Sequence, residues 1–355
     1  MQRRRFLMTL PAMAAGPALG AGFDPVLPGR PLVFPADHGA HPAFRTEWWY
    51  ATGWLTQPDG KPLGFQVTFF RVRTGLGEGN PSAFAPRQLV LAHAAIADPG
   101  LGRLRHDERS ARVGLGPAGF DTRTTRVWVG DWRFELAGDR YQAEVTARDF
   151  AYRLELVPDG PPLLQGQGGF SRKAADPRHA SYYYSRPQLR VSGQLSLDGV
   201  ARPVSGKAWL DHEWSSELLP EGAQGWDWIG LNLDDGSGLM AFRLRDAAGQ
   251  ALWSAATLRP AGQSGQVQPR EAVSFTPLRQ WHSPRSGIDW PVAWRVQVGA
   301  RSLELQPLID DQELDSRRST GSIYWEGAVR ALEGGREVGR GYLEMTGYGK
   351  RIRVG

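Results

Sequence analysis

The sequence predicts an antiparallel all-β protein, sandwich or barrel, and three observations carry that expectation. Short runs that alternate apolar and polar residues recur along the chain. Turn signals separate them at close intervals, within a composition of 44 Gly and 26 Pro in 355 residues. Helical periodicity sustained over twelve or more residues is hard to find. Period-2 segments bounded by turn residues are half-buried strands, and many of them in succession make a sandwich or a barrel.

The strands follow in chain order. Gly64-Phe65-Gln66-Val67-Thr68-Phe69-Phe70-Arg71-Val72 alternates through most of its length. Arg126–Val129, Tyr152–Val157, Leu189–Val191, Trp294–Val298 and Ser302–Leu305 repeat the pattern. Pro58-Asp59-Gly60, Asp98-Pro99-Gly100, Pro158-Asp159-Gly160, Asp198-Gly199, Asp234-Asp235-Gly236 and Glu333-Gly334-Gly335 supply the turns. A hairpin ending Gly206-Lys207-Ala208-Trp209-Leu210-Asp211 resembles a later one ending Gly339-Arg340-Gly341-Tyr342-Leu343-Glu344. Either two hairpins look alike by chance, or a β-domain is duplicated and each copy closes on the same hairpin. Duplication puts a domain boundary at residues 210–222, dividing the chain into 22–215 and 216–355.

Residues 1–21 read as a cleavable export signal, with Arg3-Arg4-Arg5 followed by an apolar stretch too short to span a bilayer. Arg-Arg-x-Phe-Leu fits twin-arginine export, and an ordinary secretory signal is the alternative. The expected compartment is the periplasm, and no later segment is apolar enough to span a membrane. The formal charge of +5 falls to +2 without that segment, at 39 Lys+Arg against 37 Asp+Glu. The charges are interspersed, which argues against nucleic acid as a partner. The absence of cysteine excludes disulfides, thiolate metal sites and a cysteine nucleophile.

Gly114-x-Gly116-x-x-Gly119 precedes a strand-like segment and not a helix, so it reads as a loop and not as a dinucleotide site. No Gly-x-Ser-x-Gly elbow is present, and no cofactor is expected. Asp37-His38-Gly39-Ala40-His41 could share a metal or could hydrogen-bond to backbone or substrate; the second is preferred and no metal is assigned.

The fourteen Trp cluster with carboxylates. On a strand, Glu47, Trp49, Ala51 and Gly53 share one face and Trp48, Tyr50, Thr52 and Trp54 the other. Arg45 is the expected partner of Glu47, either as a structural pair or beside a ligand. In Trp209-Leu210-Asp211-His212-Glu213-Trp214, His212 and Trp214 share a face opposite Asp211 and Glu213. Asp227 lies between Trp226 and Trp228. Such density suits acid–base chemistry in a shielded site, or a Trp-rich seam between domains. Asp311-Gln312-Glu313 and Tyr324-Trp325-Glu326 form a third acid–indole group.

These segments resemble the two-domain lipocalin-like family that includes the AttH proteins, the bacterial carotenoid 1,2-hydratases and the so-called predicted secreted hydrolases. Glu47-Trp48-Trp49-Tyr50 and Trp209-Leu210-Asp211-His212-Glu213-Trp214 are its specific motifs here. Gly169–Lys173, Ala180–Ser185, Gly225–Trp228, Trp325–Gly327 and Gly341–Tyr348 support them. The resemblance implies two tandem lipocalin-like antiparallel β-barrels packed together. It implies binding of a lipid or isoprenoid, in service to an envelope ABC transporter, or hydration of an isoprenoid double bond. For hydration, Asp211, His212, Glu213 and Asp227 are the acid–base candidates. His38, His41, Arg45, Glu47, Trp49, Tyr183, Trp214, Trp226 and Trp228 are the ligand-binding candidates.

Overall fold

The computed structural model describes residues 22–352, so the expected signal segment lies outside the described residues. Two antiparallel sheets account for the architecture, with thirteen and ten strands. The first opens with the meander Thr46–Thr56, Pro62–Arg73, Gln88–Asp98 and Arg103–Arg112. Shorter strands from Ala118–Phe120 to Phe150–Val157 follow, and the long hairpin Ala180–Leu197 and Val200–Ser215 ends it. The last strand returns to the first, pairing Glu47 with Trp214 and Tyr50 with Asp211. Ala118–Phe120 and Arg126–Val129 come back against Gln88–Asp98 and Arg103–Arg112, so the sheet rolls into a nearly closed barrel.

The second sheet repeats the plan. It begins with Gly225–Leu233, Gly238–Arg245 and Ala251–Arg259 and closes on the hairpin Ser322–Glu333 and Arg336–Met345. Its last strand again lies beside its first, with Ile229 opposite Leu343. The two hairpins that look alike in sequence therefore occupy equivalent places. The shared glycine has a steric reason: a Cβ on Gly206 would stand 1.9 Å from the Trp54 carbonyl oxygen, and one on Gly339 would stand 2.6 Å from that of Asn232.

Strand alternation divides the side chains between barrel interior and exterior. Trp49, Phe65, Phe69, Phe134 and Tyr152 belong to the core of the first barrel. Trp290, Trp294, Trp325 and Leu343 belong to that of the second. At roughly 1.5–3 kcal/mol per large apolar side chain, these cores stabilise the two barrels. Among the described residues, these apolar side chains fill the faces turned into both barrels. A third apolar cluster lies where the outer faces meet, and includes Tyr50, Trp54, Tyr183, Trp209, Trp228, Phe242 and Tyr342. Trp54 Nε1 donates to the Gly341 carbonyl across this seam at 3.0 Å. Among the described residues no helix is long and apolar enough to cross a membrane.

Candidate functional site

The seam between the sheets encloses a cavity of about 360 Å³. Trp48, Tyr50, Phe70 and Leu91 line it from the first sheet, and Trp226, Trp228, Phe242 and Leu244 from the second. Four carboxyls (Asp211, Glu213, Glu326 and Glu344), the Lys173 ammonium and the His93 imidazole interrupt this apolar wall.

Asp211 is 2% exposed. Its Oδ1 accepts from Ser185 Oγ at 2.5 Å and from Trp209 Nε1 at 2.7 Å. Its Oδ2 accepts from the Tyr183 hydroxyl at 2.7 Å, and that hydroxyl accepts from Trp228 Nε1 at 3.0 Å. Burial pushes the carboxyl up to about 7, outweighing these hydrogen bonds, which favour the anion. Glu213 is held differently: Lys173 Nζ lies 2.8 Å from it, and Ser181 also donates to it. The ammonium stands 4.3 Å from the centre of the Phe242 ring.

Glu326 and Glu344 are direct cross-strand neighbours in the second closing hairpin. Like charges directly opposite one another repel, and burial removes the water that would screen them. Burial first, then the nearby Asp211 and Glu213 charges, push Glu344 up to about 8. Glu326 is raised well above the usual carboxyl range by burial and by Glu344. The Tyr50 and Tyr324 hydroxyls face this carboxyl and favour its charged form, without outweighing burial. Beyond it, the Tyr324 hydroxyl meets His93 Nδ1 at 2.6 Å, and His93 Nε2 meets Ser319 Oγ at 2.8 Å. Burial holds His93 down at about 3, so this ring is neutral.

Asp211 and Glu344 are the last residues of the two matching hairpin motifs. Duplication thus sets one carboxyl from each barrel in the same cavity. Both motifs are visible in the sequence, but only Asp211 stands out there as an acid–base candidate. The omission of Glu344 is the main miss, and the repeat was the signal that could have found it. Tyr50, His93, Lys173, Tyr324 and Glu326 also line the cavity, and their local sequence marks none of them as a site residue.

Of the four acid–base candidates, the structure brings Asp211 and Glu213 to the cavity and separates His212 and Asp227 from it. Alternation is the reason: Trp226 and Trp228 face the cavity, so Asp227 between them faces the interior of the second barrel. There it pairs with Arg243 at 2.7 Å and Arg245 at 3.3 Å, and it accepts from the Tyr348 hydroxyl at 2.9 Å. Tyr183, Trp226 and Trp228 line the cavity as ligand-binding candidates.

His212 belongs to a second polar cluster, on the interior side of the first barrel. The segment around the 3-10 turn Ala36–His38 supplies Asp37, His38 and His41 to it. Glu47 Oε1 meets His41 Nδ1 at 2.8 Å and His212 Nε2 at 2.9 Å, and His41 Nε2 meets Asp37 at 3.0 Å. Trp214 stacks on His41 at 3.7 Å and Trp49 on His212 at 4.8 Å. The Tyr184 hydroxyl bridges His38 and His212.

The partner of Glu47 is Arg71 and not Arg45. Arg71 Nε donates to Glu47 Oε2 at 2.8 Å, because register places the two opposite one another on adjacent strands. Arg45 precedes the strand, and its guanidinium lies over the Phe23 ring at 4.5 Å. Burial opposes ionisation of Glu47, but Arg71 and His41 overcome it and hold the carboxyl well below its usual range. Burial likewise opposes the charge on His41, and Glu47 and Asp37 raise it nonetheless. His41, Glu47 and His212 offer three ligand atoms within 4.8 Å of one another, the geometry a metal would use. Arg71 already supplies a permanent positive charge to that carboxylate.

Comparison with known proteins places the whole assembly. The AttH-like family model matches residues 25–348. A crystal structure of a Nitrosomonas europaea protein, provisionally designated AttH, is 49% identical in sequence. It covers 92% of this chain and 100% of its own, with a TM-score of 0.86. Kievitone hydratase from Nectria haematococca shares the fold at 14% identity, with 92% of this chain and 96% of its own covered and a TM-score of 0.67. CghA, solved with Sch210972, is 15% identical over 86% of this chain and 89% of its own, with a TM-score of 0.51. No curated protein matches the chain. With a family match that spans both sheets and a solved relative at nearly half identity, the chain belongs to the AttH-like family.

Proposed function

We propose that the protein binds a hydrophobic, unsaturated small molecule between its two barrels and adds water to a carbon–carbon double bond. One observation carries the reading: buried carboxyls with raised proton affinity on an otherwise aromatic wall. Binding an apolar chain gives no use for them, because each buried polar group costs free energy. Protonating an alkene carbon requires a carboxyl that still holds its proton near neutral pH, and Glu344 and Glu326 meet that requirement. Activating water requires a base with proton affinity near the working pH, and Asp211 at about 7 meets it.

The step balances as follows. The Glu344 carboxyl, beside its buried neighbour Glu326, gives its proton to one alkene carbon, and water oxygen bonds to the other. Asp211 takes the proton that the water loses. Exchange with solvent then restores both groups, for a net addition of one water. The hydratase named among the fold relatives supports this reaction class by analogy of architecture alone.

Arg3-Arg4-Arg5 and the apolar stretch after it support export to the periplasm. A product or bound ligand passed on there to an envelope transporter would account for the expected partner. The test is incubation of the purified chain with a panel of isoprenoid and aromatic alkenes. Gain of one water by mass spectrometry, lost in Glu344→Gln, is the expected result. Binding of panel members with no turnover of any would reduce the protein to a carrier.

A further inference from the structure

The cavity is open in part, and one side of its rim is shared. Leu218, Leu219, Thr320, Ser322 and Ile352 line both the cavity and an adjoining, larger depression of about 1410 Å³. The character of the wall changes across that boundary. The cavity side is mainly aromatic and aliphatic and its charged groups are mostly acids, whereas the depression carries Arg45, Arg178, Lys350 and Arg351 against a single acid, Glu217. Arg178 is engaged with Asp176 at 2.6 Å. Arg45, Lys350 and Arg351 have no ion-pair partner among the described residues, and Arg45 Nε is buried without a hydrogen-bond partner.

We infer that the ligand is an amphiphile: an apolar chain that occupies the cavity and carries an anionic headgroup, carboxylate or phosphate, held in the depression by Arg45, Lys350 and Arg351. This rests on the reading that the cavity binds a hydrophobic molecule and adds the polarity and direction of that molecule. The chain enters tail first past Leu218 and Leu219, since the basic groups lie outside them and the aromatic wall inside. A charged head left in water would gain nothing from the mouth, and one drawn into the cavity would lose its hydration. At the mouth a guanidinium can pair with it on two hydrogen bonds while water still reaches it. The protein as a whole is only weakly basic, so the local excess is not a reflection of overall composition.

The experiment compares ligands of equal chain length on the purified full chain by quenching of tryptophan fluorescence, using oleate, oleyl alcohol and oleyl phosphate. Half-buried Arg45 together with the exposed Lys350 and Arg351 corresponds to a preference of about tenfold for the anions over the alcohol. That preference should shrink as salt is raised. It should fall to about twofold or less in Lys350→Ala/Arg351→Ala, with affinity for the alcohol unchanged. The two anions together separate carboxylate from phosphate as the head. Equal binding of alcohol and anions, unmoved by the double substitution, would overturn the headgroup assignment and leave the apolar cavity standing. Binding of none of the three would overturn the cavity reading itself. Arg45→Lys separates charge from shape: it keeps the anion preference if charge alone acts, and lowers it if the fork of the guanidinium grips the head.

Discussion

Replacing Asp211 by Asn tests whether that carboxyl holds its proton in the folded protein. The group has an ordinary value of 3.8 and is pushed up to about 7 by burial. Between these values the unfolded chain is ionised at this position and the folded chain is not. The folded state therefore binds more protons, and stability falls as pH rises through the window. The contribution is fully present below 3.8 and is lost by the time pH passes about 7. In mid-window the loss is about 1.4 kcal/mol per pH unit. From pH of about 5 to about 6.5, wild type should lose about 2 kcal/mol that Asp211→Asn does not. The amide keeps a carbonyl for Ser185 and Trp209 but turns a donor toward Tyr183, at a pH-independent cost of about 1–3 kcal/mol. Urea denaturation followed by tryptophan fluorescence at the two pH values gives both numbers. Parallel pH profiles for wild type and variant would refute the protonated carboxyl and remove Asp211 as a base poised near neutrality.

Glu344→Gln should lower kcat on a hydrated alkene by about 100-fold or more while leaving KM within about threefold, measured by steady-state product formation. Asp227→Asn should instead act through stability, since it weakens pairing with Arg243 and Arg245 inside the second barrel; ligand affinity in the surviving folded protein should not change. Arg71→Leu leaves Glu47 buried beside two histidines without its permanent cation, and should cost about 3–5 kcal/mol in denaturant unfolding. Gly206→Ala should destabilise by at least about 2 kcal/mol in the same assay, because its Cβ collides with backbone that cannot swing aside.

Strand alternation was legible from the residues alone, and it correctly placed Trp49 and Trp48 on opposite faces, and likewise His212 and Asp211. The repeat of the closing hairpin was also legible, since glycine is required wherever the last strand presses on the first. Partnership was not. Arg45 is near Glu47 in sequence, but a strand's pairing partners come from the neighbouring strand, and register gave the place to Arg71. The density of Asp211, His212, Glu213 and Asp227 suggested one site. Alternation sent two of them into barrel interiors, because residues adjacent in a strand point to opposite sides of the sheet.

The sequence by itself determined the all-β class, the likeness of the two closing hairpins and the motifs that mark an AttH-like protein, because these depend on local periodicity and on residues a few positions apart. Only the tertiary structure decided where a ligand could sit. Among the described residues, apolar side chains fill the faces turned into both barrels, and the cavity arises from the meeting of two outer faces. It brings Asp211 and Glu344 together from hairpins far apart in the chain, and the raised proton affinity of both is a consequence of the burial that this packing creates.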